Sequence, residues 1–175
     1  ALSSAASDVY KRQAERTDKK RLFDADALNI IAGEHIDYKG SREGQIIITP
    51  HIMEMSRLTG KTVADIKEHM IESAKEYAIQ HSCICILKDA RTVVTDGQKV
   101  YINCTGNDGM STGGCGDVLT GLIAGMTAMG LDAFEAACLS VYVHGKAGDY
   151  AASGKGRAGM TAADISEAIA YVLKR

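Results

Sequence analysis

Apolar residues along this chain occur in two rhythms. Short unbroken runs mark Arg21-Leu22-Phe23, Gln45 to Thr49 (QIIIT, stopped by Pro50) and Ser82 to Leu87 (SCICIL). Continuous apolar runs of that length suit parallel strands covered on both faces. Between them the apolar positions recur every three or four residues. Helices are predicted over 27–32, 52–58 and 63–81, with Val63, Ile66, Met70, Ala74 and Tyr77 on one face of the last. Residues 33–44 are polar and read as a loop. Thr92 to Thr95 and Lys99 to Cys104 read as a hairpin about the two-residue turn Asp96-Gly97. Residues 118–129 and 133–152 form two helices that are apolar on too many sides for the surface, so both are expected to bury partly against a sheet. An amphipathic helix over 162–173 closes the chain.

Strands alternating with helices predict an α/β layered fold with a mostly parallel sheet. Ligands bind such sheets beyond the carboxyl ends of the strands. Those ends are Asp24, Pro50-His51, Lys88 and the loop from Cys104 to Asp117, four points expected to converge. The first thirteen residues (ALSSAASDVYKRQ) have no periodicity and lead into no element, so residues 1–13 are read as foreign to the fold and 14–175 as the domain portion.

Composition narrows the chemistry. The formal charge is −2 and no basic stripe exists, which argues against nucleic acid as a partner. The longest apolar run, 118–129, is too short to span a bilayer. Five cysteines at no framework or zinc-site spacing imply free thiols and a reducing, cytoplasmic setting. Trp is absent and Phe occurs twice, which argues against a sugar- or base-stacking platform built on aromatics. The 18 glycines exceed the ordinary share of ~7%, and many of them follow residue 96.

That glycine excess is most useful in Thr105 to Asp117 (TGNDGMSTGGCGD). Gly113, Gly114 and Gly116 permit positive φ and close backbone approach. A helix starting there presents unpaired N–H groups and the positive end of its dipole, together an anion hole for a phosphoryl group. The spacing matches neither a Walker A loop nor a G-x-G-x-x-G turn. Asp117 at the helix opening is either a capping carboxylate or a general base that takes a proton from a hydroxyl attacking phosphorus. His51 and Lys88 each follow a buried strand on the predicted ligand side; either is structural or ligand-facing. Thr105 and Asn107 are turn formers, and Glu54 supplies first-turn charge.

Taken together, FDADALN (23–29), Thr49-Pro50-His51 with Glu54-Met55, KDART (88–92), TGNDGMSTGGCGDVLTG (105–121), YVHGKAGD (142–149) and MTAADI (160–165) resemble the ADP/ATP-dependent NAD(P)H-hydrate dehydratases of the ribokinase-like superfamily. The resemblance implies a three-layer α/β sandwich with a mostly parallel sheet, here lacking its amino-terminal strands. It implies a metabolite-repair lyase that phosphorylates the ring hydroxyl of hydrated NADH or NADPH and eliminates phosphate. By the same resemblance Asp117 is the base, with Gly114, Cys115 and Gly116 supplying the anion hole. His51, Asn107 and Asp117 contact the hydrated dinucleotide; Lys88, Asp89, Ala90, Arg91, Thr92 and Gly116 line the adenine nucleotide. ADP or ATP is co-substrate, Mg²⁺ bridges its phosphates without a dedicated protein site, and the protein is a homo-oligomer. Three residues at two places depart from the family pattern: Asp89 replaces a usual Gly, and Ile52-Met53 replaces a usual Pro-Gly. A sheet without its first strands exposes an edge, so the chain alone is expected to be weakly folded or inactive. Two alternatives stand beside this reading: a vitamin or sugar kinase of the same superfamily, and a nucleotide-binding fragment without catalysis.

Overall fold

The computed structural model describes residues 12, 19–36, 38 and 45–174; most of 1–13 and of the expected loop 33–44 lies outside the described residues. The chain divides into two compact units, Ala1–Asp89 with Val93–Val100, and Ala90–Thr92 with Tyr101–Arg175.

The first unit carries β1 (Arg21–Phe23), α1 (Asp26–Glu34), β2 (Ile46–Ile48), α2 (Ile52–Thr59), α3 (Val63–Glu68), α4 (Met70–His81), β3 (Ile84–Leu87) and β4 (Val93–Thr95). β1 pairs with β2 in parallel, Leu22 opposite Ile47, and β2 pairs with β3 in parallel, Ile47 opposite Ile84. β4 runs antiparallel to β3, with Val94 opposite Ile86. The sheet order is β1-β2-β3-β4-β5, and the boundary between the units falls within β5 (Val100–Ile102). Every residue of β2 and β3 is buried. This is why their sequences are unbroken apolar runs rather than alternating ones.

On one side of these strands Leu28, Ile31, Ile52, Met55, Ile66, Ala74 and Tyr77 form the core with Ile46, Ile48 and Leu87. The expected single helix over 63–81 is two helices. His69 leaves the helical region (φ −125°, ψ 47°) and α4 starts at Met70. The bend keeps Ile66 of α3 and Ala74 and Tyr77 of α4 buried in one core. The expected two-residue turn is also longer. Only Gly97 has positive φ (98°), whereas the tight hairpin turn needs it at both positions. The Asp96 carboxylate instead accepts from the backbone N–H groups of Gln98 and Lys99 at 2.8 and 2.7 Å, making Asp96 to Lys99 the connection between β4 and β5.

The second unit holds a 3₁₀ turn (Asp108–Met110), α5 (Cys115–Ala128), α6 (Ala133–Lys155) and α7 (Ala162–Val172). α5 begins three residues earlier than the apolar pattern suggests, because Gly114 rather than Asp117 is its N-cap. The three helices pack on one another around two clusters. One joins Cys115, Ala147, Ala151, Met160, Ile165 and Ala168; the other joins Met126, Ala136 and Val143. The buried face of α6 is mostly Ala, Ser and Gly, with Val141, Val143 and His144 among them, and the small residues allow close approach of neighbouring backbones. No described helix is long and apolar enough to cross a membrane.

α7 opens with a reciprocal cap. The Asp164 N–H donates to Thr161 Oγ1, and the Thr161 N–H donates to Asp164 Oδ2 at 2.8 Å. Lys155, at the end of α6, places Nζ 2.6 Å from Asp164 Oδ1. The lysine hydrogen bond, then those from Thr161, lower the Asp164 carboxyl to about 2 from 3.8. A depressed carboxyl stabilises the fold above its unfolded pKa, and that contribution is lost as pH falls through the folded value. Asp164→Asn is therefore expected to lower the urea midpoint at neutral pH and to flatten the loss of stability between about pH 4 and pH 2. A urea-midpoint series across that range checks this.

Candidate functional site

Three of the four predicted strand ends lie in the first unit, at the carboxyl ends of the parallel strands β1, β2 and β3. Asp24 directly follows β1. Ala25 has φ 49° and ψ −119°, and the Ala27 N–H bonds to the Asp24 carbonyl at 3.1 Å. This is the mirror image of a type II turn with alanine at the position that favours glycine. Backbone strain at such a place is characteristic of functional turns. The turn sets the Asp24 carboxylate 3.0 Å from Lys88 Nζ, and both side chains are largely buried.

His51 sits beside Lys88. The two form a parallel backbone bridge just beyond β2 and β3, and the Lys88 N–H donates to the Pro50 carbonyl at 2.8 Å. His51 is the N-cap of α2. Its Nδ1 accepts from the N–H groups of Met53 and Glu54, at 3.1 and 3.2 Å. Glu54 Oε2 in turn accepts from the His51 N–H at 2.8 Å. Glu54 is therefore more than first-turn charge: its buried carboxylate closes the cap. Of the departures from the family pattern, Ile52 is buried in the core and seats α2, Met53 is exposed, and Asp89 is exposed.

The KDART segment crosses the unit boundary after Asp89. Ala90 and Arg91 are exposed, and Arg91 Nη1 reaches the Ala90 carbonyl at 3.4 Å. The Thr92 carbonyl accepts from the Asn103 N–H at 2.9 Å.

In the second unit the loop after β5 is held from behind by α6. Asp149 accepts from the Gly106 N–H with Oδ2 and from Asn107 Nδ2 with Oδ1, each at 3.1 Å. Asn107 Oδ1 accepts from the Gly109 N–H at 3.1 Å and caps the 3₁₀ turn. The Asn107 amide is thus largely committed to the loop, with one N–H left for a ligand. Thr105 Oγ1 lies 2.9 Å from Asn103 Oδ1 and 3.1 Å from the Tyr142 carbonyl. A Cβ on Gly145 would stand 2.2 Å from Thr105 Oγ1 and 2.8 Å from the Thr105 carbonyl oxygen. One on Gly148 would stand 2.3 Å from Met110 Sδ. Asp149 is the residue that sequence reasoning left without a role. Its signal is the pair of glycines spaced to share one face of an apolar helix, followed at once by a carboxylate.

The glycine-rich turn then leads into α5. Gly114 is its N-cap at φ 89°, with a would-be Cβ 3.1 Å from Ala162 Cβ. Cys115 is buried against α6 and α7, and burial pushes its thiol above the ordinary range. Only its backbone is available to a ligand, and the Cys115 N–H turns toward the Thr112 carbonyl at 3.4 Å. The next amides, of Gly116 and Asp117, precede the first intrahelical donor, since Val118 is the residue that bonds back to Gly114 at 3.1 Å. Asp117 is exposed in this first turn, and α5 has no side-chain cap bond. A carboxylate so placed faces solvent beside unpaired N–H groups.

A mostly parallel sheet with polar and charged residues at the carboxyl ends of its parallel strands, and a glycine-capped helix start in a second unit, fit a ribokinase-like α/β protein. The chain matches a ribokinase-like superfamily protein of Enterococcus faecalis V583 with a TM-score of 0.84 at 25% identity, over 98% of this chain and 59% of that one. It belongs to the NAD(P)H-hydrate dehydratase family, whose model matches residues 5–171. It is 45% identical over 172 residues to the bifunctional NAD(P)H-hydrate repair enzyme of Moorella thermoacetica, covering 97% of this chain and 32% of that protein. It is 35% identical over 165 residues to the ADP-dependent (S)-NAD(P)H-hydrate dehydratase of Neisseria meningitidis, covering 92% of this chain and 55% of that protein. The chain thus spans about a third of the first relative and about half of the second.

Gly145→Ala is expected to displace the Thr105 loop, because the clash involves the Thr105 backbone as well as its hydroxyl. Overpacking of this kind costs about 1–3 kcal/mol. Chemical denaturation of the variant measures it, and an unchanged midpoint would show that the loop is not seated on α6.

Proposed function

We propose that this chain forms the nucleotide- and hydrate-handling part of a dehydratase that converts (S)-NAD(P)H hydrate to NADH or NADPH at the expense of ADP or ATP. The observation that carries the reading is Asp117: an exposed carboxylate, without a cap bond, in the first turn of a helix whose leading amides have no intrahelical partner. The terminal phosphoryl group is received by the amides around Gly114 to Gly116, where the dipole and the N–H groups favour negative charge. Asp117 takes the proton from the ring hydroxyl as its oxygen bonds to phosphorus and the nucleotide departs. Phosphate then leaves one ring carbon and a proton leaves its neighbour, restoring the double bond. The relatives named for this reaction support it.

The remaining roles follow the same division. His51 and Asn107 are each assigned to the hydrated dinucleotide, and Lys88 to Thr92 to the adenine nucleotide. Among the described residues no group of three or more His, Cys, Asp or Glu side chains is placed to bind a metal. Mg²⁺, as a hard cation, would enter with the nucleotide and would neutralise charge on the phosphoryl group. The ADP-dependent Neisseria relative favours ADP as donor. Five free thiols suit a cytoplasmic setting. We read residues 14–175 as the carboxy-terminal part of one ribokinase-like domain, in a protein that works as a homo-oligomer.

Asp117→Asn in the intact enzyme is expected to lower turnover by about 10²–10⁴-fold, the usual contribution of a general base, while calorimetry shows ADP binding within a few-fold of the parent. Equal loss of binding and turnover would return Asp117 to the role of a helix-terminal charge.

A further inference from the structure

The cap on α2 determines what His51 does with its two ring nitrogens. Nδ1 accepts from two backbone N–H groups, so it carries no proton. A neutral ring in that state has its hydrogen on Nε2. Glu54 surrounds the same residue from the other side. Its Oε2 holds the His51 backbone N–H, and its Oε1 stands 3.5 Å from Nε2, too far for a strong hydrogen bond. The carboxylate is buried, with 6% of its side chain exposed, whereas the imidazole is 50% exposed. The half-exposed ring is therefore left with one donor, Nε2–H, on a residue that bridges Lys88 through its backbone just past β2.

We infer that His51 is a tautomer-locked hydrogen-bond donor to an oxygen acceptor of the bound dinucleotide, and that Glu54 is the positioning residue that holds it so. A base role is excluded by the same geometry. Nδ1 can take a proton only by releasing both amides of the helix start, and Nε2 already has its proton. The site at His51 selects ligands that present a carbonyl, hydroxyl or phosphate oxygen, and disfavours those that present an N–H. The inference deepens the dehydratase reading and rests on it only for the identity of the ligand.

Long-range proton–nitrogen correlation spectra of the ¹⁵N-labelled intact enzyme test the tautomer directly, with His51→Gln used to assign the signal. The expected result at neutral pH is a protonated Nε2 and an unprotonated Nδ1. A protonated Nδ1, or fast exchange between tautomers, would overturn it. Titration with NADPH, the stable product, should shift the Nε2 resonance, and titration with ADP alone should not. A shift with ADP only would keep the donor role but place a nucleotide phosphate there, overturning the dinucleotide assignment alone. A shift with neither would overturn the donor role.

Kinetics separate donor from base. His51→Leu should raise KM for the hydrate about 10-fold with kcat nearly unchanged, as for loss of one hydrogen bond. His51→Gln, which restores an N–H donor at similar reach, should recover most of that loss. A fall in kcat of about 10²-fold or more in both variants would mark a base and refute the proposal. Glu54→Ala should weaken the Nε2–H preference in the spectrum, which a purely structural carboxylate would leave intact.

Discussion

The second unit depends on how closely one loop can lie on one helix. Thr105, Gly106 and Met110 rest on the α6 face made by Gly145 and Gly148, where no side chain larger than hydrogen fits. Asp149, at the edge of that face, converts contact into register by accepting from both Gly106 and Asn107. The chain leaving this seat enters the turn at Gly113-Gly114, and α5 starts where that turn ends. The direction in which the Gly116 and Asp117 amides point is thus a consequence of small residues on a different helix. For the proposed phosphoryl transfer, electrostatic stabilisation needs donors fixed before the ligand arrives, and this packing fixes them.

The first unit meets the same need by another route. Its ligand side is made by charged and polar groups at the ends of buried strands, each restrained by a neighbour: Lys88 by Asp24, and His51 by Glu54 and the α2 amides. The apolar strands supply rigidity, and the residues just past them are those to which the proposed function assigns roles. Asp24 reaches its place through a turn that alanine tolerates poorly, and the strain is carried by a core in which Leu28, Ile46 and Ile48 are fully buried.

Most elements were legible because their patterns have one physical interpretation. QIIIT and SCICIL, stopped by proline and by a charged residue, are strands buried on both faces, and they are found so. Positions that depend on a single dihedral were less legible. The break at His69 has no glycine or proline to announce it, and the Asp96-Gly97 turn lengthens because Asp96 stays in the ordinary φ region and bonds forward with its carboxylate. At the candidate site the glycines could be read directly, since only glycine adopts the φ of Gly114 at little cost, whereas the apolar pattern put the helix start three residues late, at Val118 instead of Cys115. The roles of Asp149 and Glu54 could not. Both act through hydrogen bonds to backbone N–H groups, and one of those partners lies more than forty positions away. The same limit hid the commitment of the Asn107 amide.

The central claim is that the unpaired amides and the Asp117 carboxylate at the start of α5 serve a phosphoryl transfer that ends in elimination. Product balance in the intact enzyme tests it most directly. With hydrated NADH and ADP, the account predicts that NADH, inorganic phosphate and AMP appear in equal amounts and that no phosphorylated intermediate accumulates. A stable phosphorylated alcohol without NADH, or NADH formed without nucleotide consumption, would contradict it.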